Sequence, residues 1–190
     1  MRADLYISAD IEADGPVPGV NSMLAFGLSV AGRFDGRMFE PQAPRARTFY
    51  RELRPISEQF DAKALAISGL DREALVRRGT DPKAAVDEAS EWVVEVAGKD
   101  RAVMIAWPLA YDWLFLQWYF LTFGSAASPF GFSSCVDMKT MFWRHAATVL
   151  DGAGKDDIPG GLRPKAEHTH NALDDAVEQA ELFVNLWRAD

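Results

Sequence analysis

Cysteine is almost missing from this chain: Cys135 stands alone among 190 residues. That excludes an intrachain disulfide and any zinc site built from several cysteines, and it suits a reducing cytoplasm. A surplus of basic charge is missing as well. Against 28 Asp and Glu stand 20 Lys and Arg, a formal net charge of −8. This argues against a protein that coats long nucleic acids through a broad basic surface. A charge-free apolar run is the third absence. The nearest approach, Met104 to Phe123, is broken by Pro108 and carries Asp112 near its middle. A carboxylate there costs ~2.5–3.5 kcal/mol even on the lenient insertion scale. The stretch reads instead as a buried strand, a turn and an aromatic helix. Met1-Arg2-Ala3-Asp4 leads to Asp10 and Glu12 with no apolar run between, so no secretory signal is expected. The expectation is a soluble, cytoplasmic protein with no membrane partner.

What is present is an ordinary globular composition, 48% hydrophobic and 25% charged, which excludes disorder and low complexity. The length predicts one domain over residues 1–190. Alternating residues predict a strand over Leu5–Ile11, and apolar runs predict two more over Ser22–Ala31 and Arg47–Leu53. Short helices are expected over Ser57–Ala66 and Asp71–Val76. Asp81-Pro82 then opens a helix whose apolar positions Ala85, Val86, Ala89, Trp92, Val93 and Val96 recur at three and four. Strands over Arg101–Trp107 and Ser134–Val136 alternate with helices over Asp112–Phe123 and Asp137–Leu150. Asp151–Lys165 reads as a mobile loop, and a last helix runs from Asn171 to Arg188. A meander followed by alternating helices and strands implies an α/β layer fold with a mixed sheet.

Three places could carry chemistry. Asp10 and Glu12, two apart on a strand, share a face, and two carboxylates that close raise each other's pKa unless a cation lies between them. Oxygen ligands of this kind suit Mg²⁺ or Mn²⁺, although an isolated Asp-x-Glu is better explained by an exposed strand end. Asp112 lies among apolar residues, so it must be paired, metal-bound or a helix cap. In His168-Thr169-His170-Asn171-Ala172-Leu173-Asp174-Asp175, Asn171 is a good N-cap with Asp174 at the third helical position. That leaves His170 and Asp175 unexplained, and periodicity alone does not turn Asp175 inward.

Taken together and in order, Asp10-x-Glu12, Asp112 and His170-x₄-Asp175 resemble the DEDDh family of 3′→5′ exonucleases. Its members include oligoribonuclease, ribonuclease T and the proofreading subunit of bacterial DNA polymerase III. Ile67-Ser68-Gly69-Leu70 is similar to the family's small-Gly-aliphatic turn, and Cys135-Val136-Asp137 to its fifth strand. The resemblance implies a ribonuclease H-like α/β fold, a five-stranded mixed sheet flanked by helices. It implies that Asp10, Glu12, Asp112 and Asp175 hold two divalent cations, Mg²⁺ or Mn²⁺, and that His170 is the general base. The implied substrate is short or single-stranded nucleic acid, cut to nucleoside 5′-monophosphates, and several relatives suggest a homodimer. Thr169-His170-x-Ala172-x-Asp174-Asp175 is similar to oligoribonuclease and tips the expectation towards RNA. A single-stranded DNA or proofreading-type exonuclease is the enzymatic rival. A non-catalytic nucleic-acid-binding or scaffold protein of this fold is the rival of another class. The chain departs from the family at Trp107-Pro108, where many members have His-Asn, and at Ala13-Asp14, where many have a Thr. The arginines at 45, 47, 51 and 54, and those at 72, 77 and 78, read as solvated faces more than as phosphate contacts. The aromatics of 107–120 read mostly as core or interface, and no role falls to His145 or His168.

Overall fold

A computed structural model describes residues 2–189. At its centre lies β1 (Asp4–Ala13), whose alternation gives the strand two different faces. Leu5, Ile7, Ala9 and Ile11 enter one apolar cluster. Tyr6 enters a second cluster on the opposite face, and Ser8, Asp10 and Glu12 follow it along that side.

β1 pairs antiparallel with β2 (Met23–Phe34) and parallel with β5 (Arg101–Ala106), which pairs parallel with β6 (Cys135–Asp137). Two strands share the outer edge of β2. β4 (Thr48–Glu52) bonds to Ala25–Ser29, and β3 (Phe39–Pro41) to Gly32–Phe34. The mixed sheet therefore has six strands where five were expected. The additional one, β3, is three residues long, too short for a period-two pattern to declare itself.

Helices cover both faces. α3 (Pro82–Ala97) and α4 (Leu109–Phe123) pack into the first cluster, α5 (Met138–Ala146) and α6 (Ala172–Ala189) into the second. α1 (Ala62–Ser68) and α2 (Arg72–Arg78) occupy the connection from β4 to α3. α3 starts where the sequence says: Asp81 accepts from the N–H groups of Lys83 and Ala84, with Pro82 at the first turn. Such a cap contributes about 1 kcal/mol. No helix among the described residues is long and apolar enough to cross a membrane.

Three expectations change. The first helix begins at Ala62, capped by Asp61, so 57–60 are not helical. The α5 helix ends at Ala146, before Ala147 in the left-handed region. Residues 151–165 do not form a loose loop. They contain two 3₁₀ turns, Leu150–Gly152 and Lys155–Asp157, and Ala153 and Ile158 are buried in the second cluster. The apolar residues that pin this segment are too few and too irregularly spaced to register as a pattern.

Candidate active site

The site forms where the second half of β1, the start of α4 and the start of α6 meet. β1 supplies Asp10 and Glu12 from its α6-facing side. α6 supplies Asp175, and it comes close because β2 has no side chain at Gly27, the residue paired with Asp10. A Cβ there would lie 2.3 Å from the backbone oxygen of Ala172. Carboxylate oxygens of Asp10, Glu12 and Asp175 all lie within 4.8 Å of one another.

Asp175 is fully buried, so helical periodicity misjudged its direction. Its carboxylate draws it inward by bonding to the chain just before the helix. Oδ1 accepts from the N–H of Thr169 at 2.7 Å and Oδ2 from the N–H of His170 at 3.0 Å. His170 adopts φ 57°, the left-handed region in which His is enriched among non-glycine residues. Asn171 caps α6 as expected, accepting from Leu173 and Asp174. Asp174 makes no capping box; its carboxylate pairs with Arg45 at 2.6 Å.

Asp112 is neither a cap nor exposed. α4 begins three residues earlier than expected, at Leu109, with Pro108 as its N-cap and no side-chain cap of its own. Asp137, 28 residues away, supplies the missing acceptor to the N–H of Leu109 at 2.8 Å. It also caps α5 through Thr140. Asp112 therefore sits one turn inside α4, 5% exposed, its Oδ1 accepting from the N–H of Ile11 at 3.0 Å. That bond ties it to β1 between the other two acids. Its oxygens are outside the 4.8 Å cluster, but its charge acts on Asp10.

Burial and mutual repulsion make the fully ionised arrangement costly. Burial, then the charges of Asp112, Asp175 and Glu12, pushes the Asp10 carboxyl well above the usual range. Burial and Asp175 push Glu12 up to about 7. Asp112 is raised by burial, against the lowering pull of the Ile11 N–H. Four carboxylates of one sign, offering oxygen alone, fit divalent cations.

Several participants were not read from the sequence. Gln179, fully buried, donates from Nε2 to Asp10 Oδ1 at 2.7 Å and accepts at Oε1 from the N–H of Trp107 at 2.7 Å. It fixes both an acid and the turn before α4. His168, given no role, places Nδ1 3.0 Å from Asp175 Oδ2, with its ring edge-on to His170 at 4.6 Å. Burial lowers its pKa, as does the charge of Lys155. Tyr111, beside Asp112, donates to the Gly15 carbonyl at 3.2 Å, and burial next to Asp112 raises its pKa to about 12. Only Gln179 carried a sequence signal: a fully polar side chain four residues past Asp175 on the same helical face. Of the arginines, Arg51 pairs with Glu88 at the surface as a solvated face should. Arg72 does not; it pairs at 2.8 Å with fully buried Asp14, just beyond the Glu12 strand.

Residues 38–187 match the family described as the 3′-5′ exoribonuclease Rv2179c-like domain. The chain belongs to this family. The 3′-5′ DNA exonuclease Cap18 of Escherichia coli is 35% identical over 188 residues, spanning 96% of this chain and 92% of that one. This likeness, unlike the family match, also takes in β1 with its two acids. Among solved structures, the nuclease domain of 3′hExo, a DEDDh family member bound to rAMP, superposes with a TM-score of 0.71. It is 15% identical and covers 97% of this chain and 92% of that one. E. coli exonuclease I with single-stranded DNA superposes with a TM-score of 0.62 at 14% identity; this chain spans 39% of it. The fold is thus the ribonuclease H-like fold of DEDDh nucleases, and the protein is a 3′-5′ exonuclease by family. A purely structural role is set aside.

Proposed function

We propose that the chain is a metal-dependent 3′→5′ exonuclease acting on short or single-stranded nucleic acid, releasing nucleoside 5′-monophosphates. The convergence of Asp10, Glu12 and Asp175 within 4.8 Å, in surroundings that burial makes costly for bare carboxylates, carries the reading. With Asp112 they would hold divalent cations, Mg²⁺ or Mn²⁺. Such ions, when bound, neutralise the carboxylates, activate water and stabilise the leaving 3′ oxygen.

The chain's own residues do the rest. His170, exposed on the segment before α6, takes the proton of the attacking water on an imidazole nitrogen. Asp175 holds its backbone, so the base and one acid are placed by a single group. Gln179 keeps one oxygen of Asp10 engaged and leaves the other for a cation. As the water attacks phosphorus, the bond to the 3′ oxygen breaks, and the nucleotide leaves with a 5′ phosphate.

RNA is the first substrate proposed, in keeping with the family description and with the sequence around His170. Single-stranded DNA is the second reading, carried by the full-length likeness to a DNA exonuclease. 5′-labelled RNA and DNA oligomers incubated with Mg²⁺ or Mn²⁺ test both, with Asp10→Ala alongside. Stepwise shortening from the 3′ end, lost in Asp10→Ala, is expected, and faster on RNA. No shortening of either oligomer under either metal would sink the reading. Equal rates for wild type and Asp10→Ala would sink the site.

A further inference from the structure

One helical turn past Asp175, α6 buries a second acid that the proposed reaction does not use. Glu178 is 5% exposed, and its Oε2 meets the Nζ of Lys155 at 2.6 Å. A glutamate is rarely buried unless paired. Its partner comes from the segment whose composition predicts a mobile loop, yet the ammonium is held in place. Lys155 opens a 3₁₀ turn that Asp157 closes by accepting from the N–H of Gly154 at 2.9 Å. The neighbours Ala153 and Ile158 anchor that turn in the second apolar cluster.

We propose that Lys155 contacts a phosphate of the substrate strand and sets how tightly the enzyme holds it; this rests on the exonuclease reading above. The ammonium has three donors. Glu178 takes one, and the side chain is 27% exposed, open to a strand arriving from solvent. Lys155 is also the cation whose charge is felt at Asp10, Asp112 and His168 alike. The neighbouring arginines are engaged elsewhere, Arg45 with Asp174 and Arg72 with Asp14. A phosphodiester approaching this crowd of carboxylates needs a compensating charge beside them. A lysine ammonium is a common point-charge ligand for phosphate. Glu178 serves to aim it, making Glu178 a positioning residue.

The competing explanation is that Lys155 merely neutralises a buried acid, and removing both partners separates the two. Initial rates on 5′-labelled RNA and DNA oligomers are measured for wild type, Lys155→Met, Lys155→Arg and the double variant Lys155→Met/Glu178→Leu. Oligomer affinity against salt is measured in the slow His170→Ala background. Lys155→Met is expected to raise KM about tenfold, the worth of one charge-assisted hydrogen bond, with kcat within about threefold. The slope of log affinity on log salt should become shallower by about 0.7, one phosphate contact on a single strand. Lys155→Arg should keep KM within about threefold, and the double variant should keep the raised KM. A double variant that regains the wild-type KM overturns the proposal. So does a Lys155→Met enzyme with unchanged KM and salt slope. If wild type itself shortens neither oligomer, the exonuclease reading falls and takes this one with it.

Discussion

At the scale of single residues the site divides into what spacing declares and what only packing reveals. Asp10, Glu12, Asp112, His170 and Asp175 stand out in order along the chain through the resemblance to the DEDDh family; alternation alone puts only Asp10 and Glu12 on one face. His168 and Lys155 do not, and Gln179 shows only as a polar residue one turn past Asp175. Gln179 and Lys155 act through partners 169 and 23 positions away, and His168 through Asp175, at contacts that no local pattern declares. Helical periodicity does not give the direction of Asp175, since its burial comes from two backbone N–H groups before the helix rather than from an apolar stripe. Two predictions belong here. His170→Ala should lower kcat by about 10²–10⁴-fold, the usual worth of a general base, while Mn²⁺ affinity measured by calorimetry stays near wild type. Loss of that affinity would make His170 a ligand. Gln179→Glu places a carboxylate 2.7 Å from Asp10, and a like charge so close should cut activity at least about tenfold. Gln179→Met should be milder, and the ratio of the two rates checks that charge, not volume, is at fault.

At the scale of elements the strands of the sheet's middle were legible because each carries a two-faced or wholly apolar run, and α3 because its cap and first-turn proline are adjacent. α4 starts at Leu109, three residues before the sequence pattern predicts. Its capping acceptor comes from Asp137, across 28 positions, so nothing local announced it. β3 was too short to see, and the 151–165 segment hid its anchors among glycines and charges. The contact of α6 with β2 offers a test of how the site is held. Gly27→Ala puts a methyl group where the backbone of Ala172 lies, 2.3 Å away. Relief requires the first turn of α6 to lift, at about 1–3 kcal/mol as for other overpacked sites. Because that turn carries Asp175 and follows His170, activity at a temperature where the variant is fully folded should also fall. A chemical-denaturation curve beside a rate assay distinguishes this from simple unfolding.

For the whole molecule, the acids at the site govern how stability responds to pH and to metal. Asp10, Glu12 and Asp112 have folded-state values raised above the ordinary carboxylate range, Glu12 to about 7. Between about pH 4.5 and 8, the upper limit set by Asp112 at about 8, the native protein therefore binds more protons than the unfolded chain, which titrates near 4. Stability must fall as pH rises through that window and level off above it. Asp87, held down to about 2 by Lys83 and Ser125, titrates well below the window. Melting temperatures of chelator-treated protein should accordingly be higher at pH 5 than at pH 8. Saturating Mn²⁺ at pH 8 should restore stability, by about 2.7 kcal/mol at a hundredfold excess over Kd. Thermal melts across pH with and without Mn²⁺ measure both, and a flat profile would contradict the electrostatic picture of the site.

The contact between α6 and β1 also has a consequence for synthesis. A ribosome makes Asp10 and Glu12 long before it makes Asp175 and Gln179, 169 positions separating the outermost pair. Domains generally fold as units while the chain emerges at about 5–20 residues per second. Until α4 and α6 are made, the growing polypeptide therefore carries two of the candidate site's four acids on a strand with nothing opposite. The proposed site is incomplete for as long as α6 is unmade. On that reading the four acids come together only once α6 has packed against β2 at Gly27.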